Sequence, residues 1–264
     1  MLTMVARANA GHLGGSLSAT ELLTALYFHC MRIDPANPSW EDRDRFVLSK
    51  GHATPLYYSV LSARGYFPDS LLDTYDHLGS LLQGHPDMRK TPGVDMSTGS
   101  LGQGISAATG MCIGRDLAGK NFHVFSLTGD GEMQEGQVWE AAMYAGERGF
   151  TNLVCIVDCN GMQLSSRIEQ GLSPAPLVDK WRAFGWQVTE IDGNSMSQVV
   201  SGLDQARKLG SRPLAIIART VKGKGVSFME DDVSWHSRIP SPGEMVRALR
   251  ELGAAEEETR PWRQ

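Results

Sequence analysis

The sequence predicts an α/β fold in which helices cover both faces of a mostly parallel central sheet, giving three layers. Short apolar runs typical of buried strands alternate along the chain with segments of helical hydrophobic periodicity. Two of these runs end in acidic or amide turns, at the place where strands of open parallel sheets bind ligands. With 264 residues, 41% of them hydrophobic, the chain can bury a full core. Its length fits one large domain or two small ones, and we expect one domain over residues 1–250 and a polar tail over 251–264.

The first half of the chain supplies helices, two strands and a long loop. In chain order we predict a helix at 17–31, a strand at 45–49, helices at 55–63, 69–77 and 101–117, and a strand at 124–127. The helices have apolar residues at helical spacing, and the strands are short apolar runs. Residues 79–100 are rich in Gly, Pro, Ser and Thr without a sustained period, which predicts an irregular loop that serves a ligand.

The second half repeats the alternation with fewer chemical signals. We predict a helix at 135–148, a strand at 153–157, a loop at 161–173, a helix at 174–184, a strand at 186–191, a helix at 197–208 and a strand at 213–221. The tail is charged and lacks apolar periodicity, so we expect it to extend freely from the domain.

The segment 129–136, Gly-Asp-Gly-Glu-Met-Gln-Glu-Gly, indicates the site. Asp130 follows one predicted strand and Asn160 follows the next, so both are expected at the same edge of the sheet. A carboxylate, an amide oxygen and a nearby backbone carbonyl suit Mg²⁺ with phosphate oxygens completing its shell, and they suit zinc poorly. An Asp between two glycines also fits an ordinary turn, but the paired Asn160 favours a metal and diphosphate site. Gly129 and Gly131 would let a phosphate approach the backbone.

Charge and cysteine usage set outer limits on function. The net charge of -5 gives no electrostatic reason to expect nucleic acid, so an anionic ligand must be held locally. The four cysteines are few for this length and fit reduced core thiols in a cytoplasmic protein. Cys155 and Cys159 have no second pair with which to form a metal site. We see no membrane-spanning apolar stretch and no signal peptide, and we expect no membrane partner.

Taken together and in order, the motifs resemble the diphosphate-binding half of transketolase from Gly11 to about residue 240. The matching stretches are 10–16 (AGHLGGS), 49–53 (SKGHA), 84–86 (GHP), 98–104 (TGSLGQG), 129–136, 158–161 (DCNG), 222–225 (KGKG) and 235–236 (WH). Read alone, 101–104 is a weak dinucleotide fingerprint and 222–225 lacks the spacing of a P-loop. The order and context of all these stretches are specific to the family.

The resemblance implies thiamine diphosphate as cofactor, bound with Mg²⁺, for which Ca²⁺ or Mn²⁺ can substitute. It implies that Asp130, Asn160 and the carbonyl of Met162 ligate the metal. Four motif histidines would be catalytic, namely His12, His52, His85 and His236, and Glu135 would lie at a dimer interface. The implied cofactor-binding residues are His52, Gly99, Ser100, Leu101, Gly129, Asp130, Gly131, Glu132, Asn160, Leu164, Lys222 and His236. Transketolase chemistry moves protons at the hydroxyl groups of the substrate, and imidazoles suit this proton transfer because their ordinary pKa lies near working pH.

The implied function is transfer of a two-carbon ketol unit from a ketose phosphate to an aldose phosphate, as in the pentose phosphate pathway. We identify no pyrimidine-binding domain, so we expect the N-terminal subunit of a split transketolase, inactive unless a separate C-terminal subunit is present. We expect a homodimer alone and a heterotetramer with that partner. The enzymatic alternative is a subunit of a 1-deoxyxylulose-5-phosphate synthase-like enzyme or of another thiamine-dependent carboligase. An alternative of another class is a non-catalytic binding or regulatory partner that retains the fold.

Overall fold

The central sheet has five strands, all parallel, in the order β1-β2-β3-β5-β4. A computed structural model describes residues 1–208 and 210–262 of the chain. The strands are β1 Arg45–Leu48, β2 Val124–Gly129, β3 Leu153–Cys159, β4 Gln187–Asp192 and β5 Leu214–Arg219. Each one falls where an apolar run predicted it, which confirms the parallel α/β fold.

Helices cover both faces of this sheet. The α-helices are α1 Leu2–Ala8, α2 Gly14–Leu17, α3 Thr20–Ala25, α4 Thr54–Ala63, α5 Gln103–Leu117, α6 Gly136–Arg148, α7 Leu177–Ala183, α8 Met196–Arg207, α9 Pro242–Glu251 and α10 Glu256–Thr259. A π-helical turn spans Leu26–Cys30, and 3₁₀-helices span Asp69–Thr74, Gly131–Gln134, Ile168–Gln170, Val233–His236 and Arg260–Trp262. Among the described residues, no helix is long and apolar enough to cross a membrane.

Two hydrophobic cores, one on each face, hold the layers together. Successive side chains of β3 alternate between them: Val154 and Ile156 pack with α3, α4 and α8, while Leu153 and Cys155 pack with α5, α6 and α7. This alternation follows from the period of two along a strand, and it requires every residue of β3 to be apolar or satisfied. All seven residues of β3 are buried, so the expected three layers are confirmed.

The strand register places the predicted metal ligands side by side. Gly129 pairs with Asp158 across β2 and β3, so Asp130 and Asn160 leave the sheet at the same edge. The amide of Asp130 donates to the carbonyl of Asp158 at 3.1 Å, which continues the ladder one step beyond β2. The carboxyl ends of the two strands therefore form one floor.

The helix predicted at 17–31 is wrong in its continuity. The chain forms α2, breaks at Ser18, resumes as α3 and ends in the π-helical turn. The Ser18 hydroxyl donates to the carboxylate of Asp158 at 2.6 Å, a contact that hydrophobic spacing does not encode. The predicted helix at 69–77 is instead a 3₁₀-helix over Asp69–Thr74.

The chain end also differs from expectation. Residues 256–262 are helical, Thr259 is fully buried, and Trp262 packs against the larger core, so the freely extending tail is wrong up to residue 262. The helix Glu256–Thr259 buries only its threonine, and the three glutamates before it give the sequence no apolar periodicity from which to predict this packing. Residues 263 and 264 lie outside the described residues, and the domain boundary at residue 250 stays a prediction.

Candidate active site

A cleft of about 400 Å³ opens at the carboxyl edge of the sheet. Its wall contains most of the predicted site residues, drawn from seven separate stretches of the sequence. These are His12, His52, Gly99, Leu101, Gly129, Asp130, Gly131, Glu132, Glu135, Asn160, Met162, Leu164, Lys222 and His236. The fold therefore brings the family motifs into one place.

Two predicted residues lie outside the wall. His85 and Ser100 are both exposed and do not line the cleft. His85 is nevertheless close, because a Cβ placed on Gly99 would come within 3.1 Å of its ring. His85 is also among the groups that lower the pKa of His12, after burial. Both residues thus border the cleft, and their roles stay predictions.

Five further residues line the cleft without having been predicted from the motifs, namely Gly15, Lys50, Gln134, Gln163 and Ser165. Gly15 and Lys50 lie inside motifs that carried the resemblance, and that position was the available signal. Gln134 also lies inside such a motif, at the end of the 3₁₀-helix Gly131–Gln134, whereas Gln163 and Ser165 belong to a loop without a local pattern. Gln134 donates to Gln163 at 2.7 Å, so these two segments are joined directly at the cleft.

Asp130 is the buried carboxylate of the floor. Its two oxygens accept from the backbone amides of Gly161 at 2.7 Å and Gly131 at 2.9 Å. Burial, followed by the nearby carboxylate of Asp158, raises the pKa of Asp130 to about 7. A divalent cation beside this group would favour its charged form, which burial opposes. The side chain therefore fits a metal-bound diphosphate.

Asn160 presents its amide in one orientation only. Its Nδ2 donates to Asp158 at 3.2 Å and to Ser18 at 3.3 Å, and its Oδ1 accepts from the amide of Met162 at 3.1 Å. An ionised carboxylate can only accept, so the carbonyl end of Asn160 must face away from Asp158. The described residues hold no cluster of three or more His, Cys, Asp or Glu side chains placed for a metal. A site of one carboxylate, one amide and one backbone carbonyl would not form such a cluster.

A buried ion pair lies beneath this floor. Lys50 donates to Asp158 at 2.5 Å and to the carbonyl of Gly15 at 2.8 Å, and both charged side chains are almost fully buried. Thr220, at the end of β5, also donates to Asp158. With Ser18 and Asn160, the carboxylate of Asp158 accepts four hydrogen bonds, so its charge is fully compensated.

Glu132 is a third buried carboxylate, and it connects three segments of the chain. It accepts from the Ser49 hydroxyl and from the backbone amides of Gly102 at 2.7 Å and Gly129 at 3.0 Å. Burial raises its pKa, while these three donors oppose the rise. Glu132 thereby ties the start of α5 to the ends of β1 and β2, and of the two glycines Gly129 lines the cleft.

Three histidines form a cluster in the wall of the same cleft. The ring centroids of His12 and His52 are 5.2 Å apart, those of His12 and His236 5.3 Å, and those of His52 and His236 5.2 Å. Burial lowers the pKa of His236 to about 3, with Lys222 as the next cause. Burial and then Lys50 place the pKa of His52 well below its usual value. The cluster is therefore uncharged at neutral pH.

Lys222 links this cluster to the loop after β3. Its Nζ lies 3.1 Å from Nδ1 of His236 and donates to the carbonyl of Gln163 at 3.3 Å. Burial, followed by repulsion from Lys50, lowers the pKa of Lys222 to about 8. Lys50 is paired with Asp158 and the imidazoles are neutral, so Lys222 is the lysine of the cleft wall that has no carboxylate partner among the described residues.

Leu164 and Glu135 complete the wall from its rim. Leu164 is 65% exposed although it is apolar, and it lies in the loop that carries Met162 and Gln163. Glu135 is exposed at the start of α6. Their expected roles, against the cofactor and at a dimer interface, stay predictions.

Sequence and structure comparisons agree with this geometry. The family model described as "Transketolase, thiamine diphosphate binding domain" matches residues 1–259. The 6-deoxy-6-sulfo-D-fructose transketolase subunit of Clostridium sp. (strain MSTE9) is 48% identical over 236 residues, covering 89% of this chain and 86% of that protein. An apulose-4-phosphate transketolase subunit from Phocaeicola vulgatus is 39% identical over 252 residues, covering 96% of this chain and 89% of that protein.

Solved transketolases share the fold over almost the whole chain. The Leishmania mexicana enzyme superposes with a TM-score of 0.91 at 26% identity, covering 98% of this chain and 41% of that one. The Campylobacter jejuni enzyme gives a TM-score of 0.89 at 30% identity and covers 98% of this chain and 43% of that one. The chain thus spans about two fifths of the solved transketolases but most of the length of the two subunits. The chain belongs to the transketolase family of transferases, in which it corresponds to the N-terminal, thiamine diphosphate-binding part.

Proposed function

We propose that this chain is the N-terminal subunit of a split transketolase, which binds thiamine diphosphate through Mg²⁺ and transfers a two-carbon ketol unit once a separate C-terminal subunit completes the site. The printed names of the two subunit relatives support the division into subunits. Assembly as a homodimer alone and a heterotetramer with the partner, and a cytoplasmic location, belong to the same proposal.

One observation carries it: a carboxylate and an amide oxygen at the ends of neighbouring strands line the same cleft as a cluster of three imidazoles. Asp130 and Asn160 would hold the metal with the carbonyl of Met162. The positive charge of Lys222 and the metal would attract the diphosphate.

Bound thiamine diphosphate supplies a carbanion at its thiazolium ring and an electron sink. The residues of this chain would exclude water and handle protons. Leu164 would offer an apolar surface to the ring. The neutral imidazoles of His12 and His52 could donate or accept a proton at the hydroxyl oxygens of the substrate, and His236 could form a hydrogen bond to them. The aminopyrimidine end of the cofactor would be bound by the partner subunit.

The substrate class that we propose is an anionic ketose as donor and an aldose phosphate as acceptor. The relatives act, by their printed names, on 6-deoxy-6-sulfo-D-fructose and on apulose-4-phosphate, whose terminal groups are anionic. Xylulose 5-phosphate is the donor that a role in the pentose phosphate pathway requires. These three donors, assayed side by side, distinguish the substrates of this site.

The proposal is tested by titrating the full chain with thiamine diphosphate and Mg²⁺ in a calorimeter. Asp130→Ala should weaken binding by more than about 100-fold, since even outer-shell changes at metal sites cost about 10–100-fold. Asp192→Ala is the matched control, because Asp192 ends β4 at the same sheet edge but is exposed and outside the cleft. The circular dichroism spectrum should stay the same for both variants. Equal cofactor affinity of the Asp130→Ala variant and the native chain would overturn the metal assignment.

Catalysis is tested by adding the candidate C-terminal subunit, sought in the neighbouring open reading frame. Ketol transfer should appear only with both chains present. Robust transfer by this chain alone would refute the split-subunit proposal. Cofactor binding without any transfer, in a complex of the two chains and with all three donors, would favour a non-catalytic partner or another thiamine-dependent carboligase.

A further inference from the structure

We infer that Lys222 fixes the tautomer of His236, so that Nε2 carries the ring proton and His236 meets the substrate as a hydrogen-bond donor rather than as a base. This inference rests on the proposed function and adds a positioning role for a residue of the same site. It distinguishes His236 from the other two imidazoles of the cluster.

The hydrogen bond itself has only one direction. An ammonium group has three donors and no acceptor, so the 3.1 Å contact from Lys222 requires an unprotonated Nδ1 on His236. The other contact of the ammonium is to the carbonyl of Gln163, which can only accept. A neutral imidazole whose Nδ1 accepts must carry its proton on Nε2.

The Lys222 side is held in place by the turn after β5. The amide of Gly223 donates to the carbonyl of Gly14 at 3.0 Å, and the carbonyl of Lys222 accepts from the amide of Asp231 at 3.0 Å. A Cβ on Gly14 would lie 3.0 Å from Cε of Lys222 and 2.7 Å from the carbonyl of Trp235. The absence of a side chain at Gly14 therefore lets the lysine stem and the segment of His236 approach each other.

The His236 side is anchored independently. His236 ends the 3₁₀-helix Val233–His236, which Asp232 caps by accepting from the amide of Ser234 at 2.8 Å. Trp235, the preceding residue, is almost fully buried in the larger core. Because both partners are fixed by separate contacts, their hydrogen bond is formed before any ligand arrives.

His12 provides the contrast. Its Nδ1 is buried and has no hydrogen-bond partner within residues 1–208 and 210–262. No lysine of this kind selects its tautomer, so the structure leaves His12 free to act as either donor or acceptor toward a ligand. His236, with Nδ1 occupied, offers only an N–H, which suits it to stabilise negative charge as it develops on a substrate oxygen.

The test is ¹⁵N NMR of the full chain labelled at histidine, with His236→Gln to assign the signals. In the native chain His236 should show an unprotonated Nδ1 and a protonated Nε2. Lys222→Met should give averaged shifts of mixed tautomers, and Lys222→Arg should restore the native pattern. Lys224→Met is the matched control, because Lys224 pairs with Glu230 at 3.2 Å outside the cleft. A protonated Nδ1 in the native chain, or native shifts in Lys222→Met, would overturn the inference.

A kinetic measurement distinguishes positioning from structure. At saturating thiamine diphosphate in the two-subunit enzyme, Lys222→Met should lower kcat by about tenfold or more, short of the roughly 10²–10³-fold loss when an oriented donor is removed. KM for the donor ketose should change less than kcat. An unchanged kcat would count against the role of the donor in catalysis. Because the NMR readout needs neither cofactor nor partner, a failure of the proposed function would not be confused with a failure of this inference.

Discussion

The two sides of the cleft are built in different ways. On the floor, the carboxylates of Asp158 and Glu132 accept four and three hydrogen bonds, and Asn160 uses both ends of its amide. In the histidine cluster, imidazoles of lowered pKa touch mainly one another, and one buried ring nitrogen of His12 has no partner among the described residues. Asp158 and Glu132 are satisfied without a ligand, whereas the histidine cluster keeps hydrogen-bonding capacity for one.

Because of this difference, mutations in the two regions should affect different properties of the protein. Groups that are fully paired in the folded chain contribute to stability, and removing one leaves another buried and unpaired. Groups with spare capacity contribute little to stability and act when a substrate arrives. Changes on the floor should therefore reduce stability, and changes in the histidine cluster should reduce catalysis.

The largest expected effect is on catalysis. His12→Ala in the two-subunit enzyme should lower kcat/KM by roughly 10²–10⁴-fold, the range for a positioned acid or base. Its unfolding free energy should change little. His77→Ala, an exposed histidine outside the cleft, serves as control. His12→Ala with normal kcat/KM would remove this residue from the catalytic set. His85→Ala, at the border of the cleft, belongs in the same assay.

The next effect is on stability. Asp158→Asn should lower the free energy of unfolding by about 3–5 kcal/mol, because it leaves Lys50 charged and buried without a counter-ion. Denaturant unfolding measures this change. Adding Lys50→Met should recover part of the loss, since no charge is then left unpaired.

An exposed ion pair gives the comparison for that experiment. Arg219 and Glu190 lie 2.9 Å apart with side chains 59% and 49% exposed. Glu190→Gln should cost less than about 1 kcal/mol. Equal losses of unfolding free energy for Asp158→Asn and Glu190→Gln would show that burial of the Lys50–Asp158 pair does not affect its contribution to stability.

The histidine cluster should make stability depend on pH. Burial, followed by Lys222, lowers the pKa of His236 to about 3, whereas an unfolded histidine has a pKa near 6.5. Below about pH 6.5 His236 is protonated in the unfolded chain but stays neutral in the folded chain, so the free energy of unfolding falls as the pH falls toward 3. The urea midpoint should drop from pH 7.5 to 5.0, and His236→Gln should reduce that drop. An identical slope in both proteins would contradict the assigned pKa.

The smallest expected effect tests redundancy on the floor. Ser18→Ala removes one of four donors to Asp158 and should cost about 0.5–1.5 kcal/mol in unfolding free energy. Ser39→Ala, at an exposed loop position, is the matched control and should cost less. If Ser18→Ala lowered the unfolding free energy as much as Asp158→Asn does, the three remaining donors would be unable to stabilise the carboxylate of Asp158 without Ser18.

The sequence predicted what depends on local pattern. The strands and their ends follow from apolar runs, so Asp130 and Asn160 were placed correctly at one edge of the sheet. Helix α9 was missed although Ser241, Pro242 and Glu244 form a capping box with proline at the first turn, a signal visible in the sequence.

Other features had no local signal. The break at Ser18 and the pairing of Lys50 with Asp158 depend on contacts between residues far apart in the chain, which periodicity does not encode. The rim position of His85 was equally hidden, because motif membership indicates proximity to a site and not which side chain faces the cleft.

The buried pair of Lys50 and Asp158 also bears on the order of events in folding. These residues are 108 positions apart, and Ser18 reaches the same carboxylate across 140 positions. Chain closure over such distances costs entropy before the contact stabilises anything, and domains dominated by such contacts fold slowly. The floor of the cleft is therefore expected to form late, when β1, β2, β3 and β5 are already aligned. A ligand that needs this floor acts after the folding barrier, so it should slow unfolding and leave the folding rate unchanged.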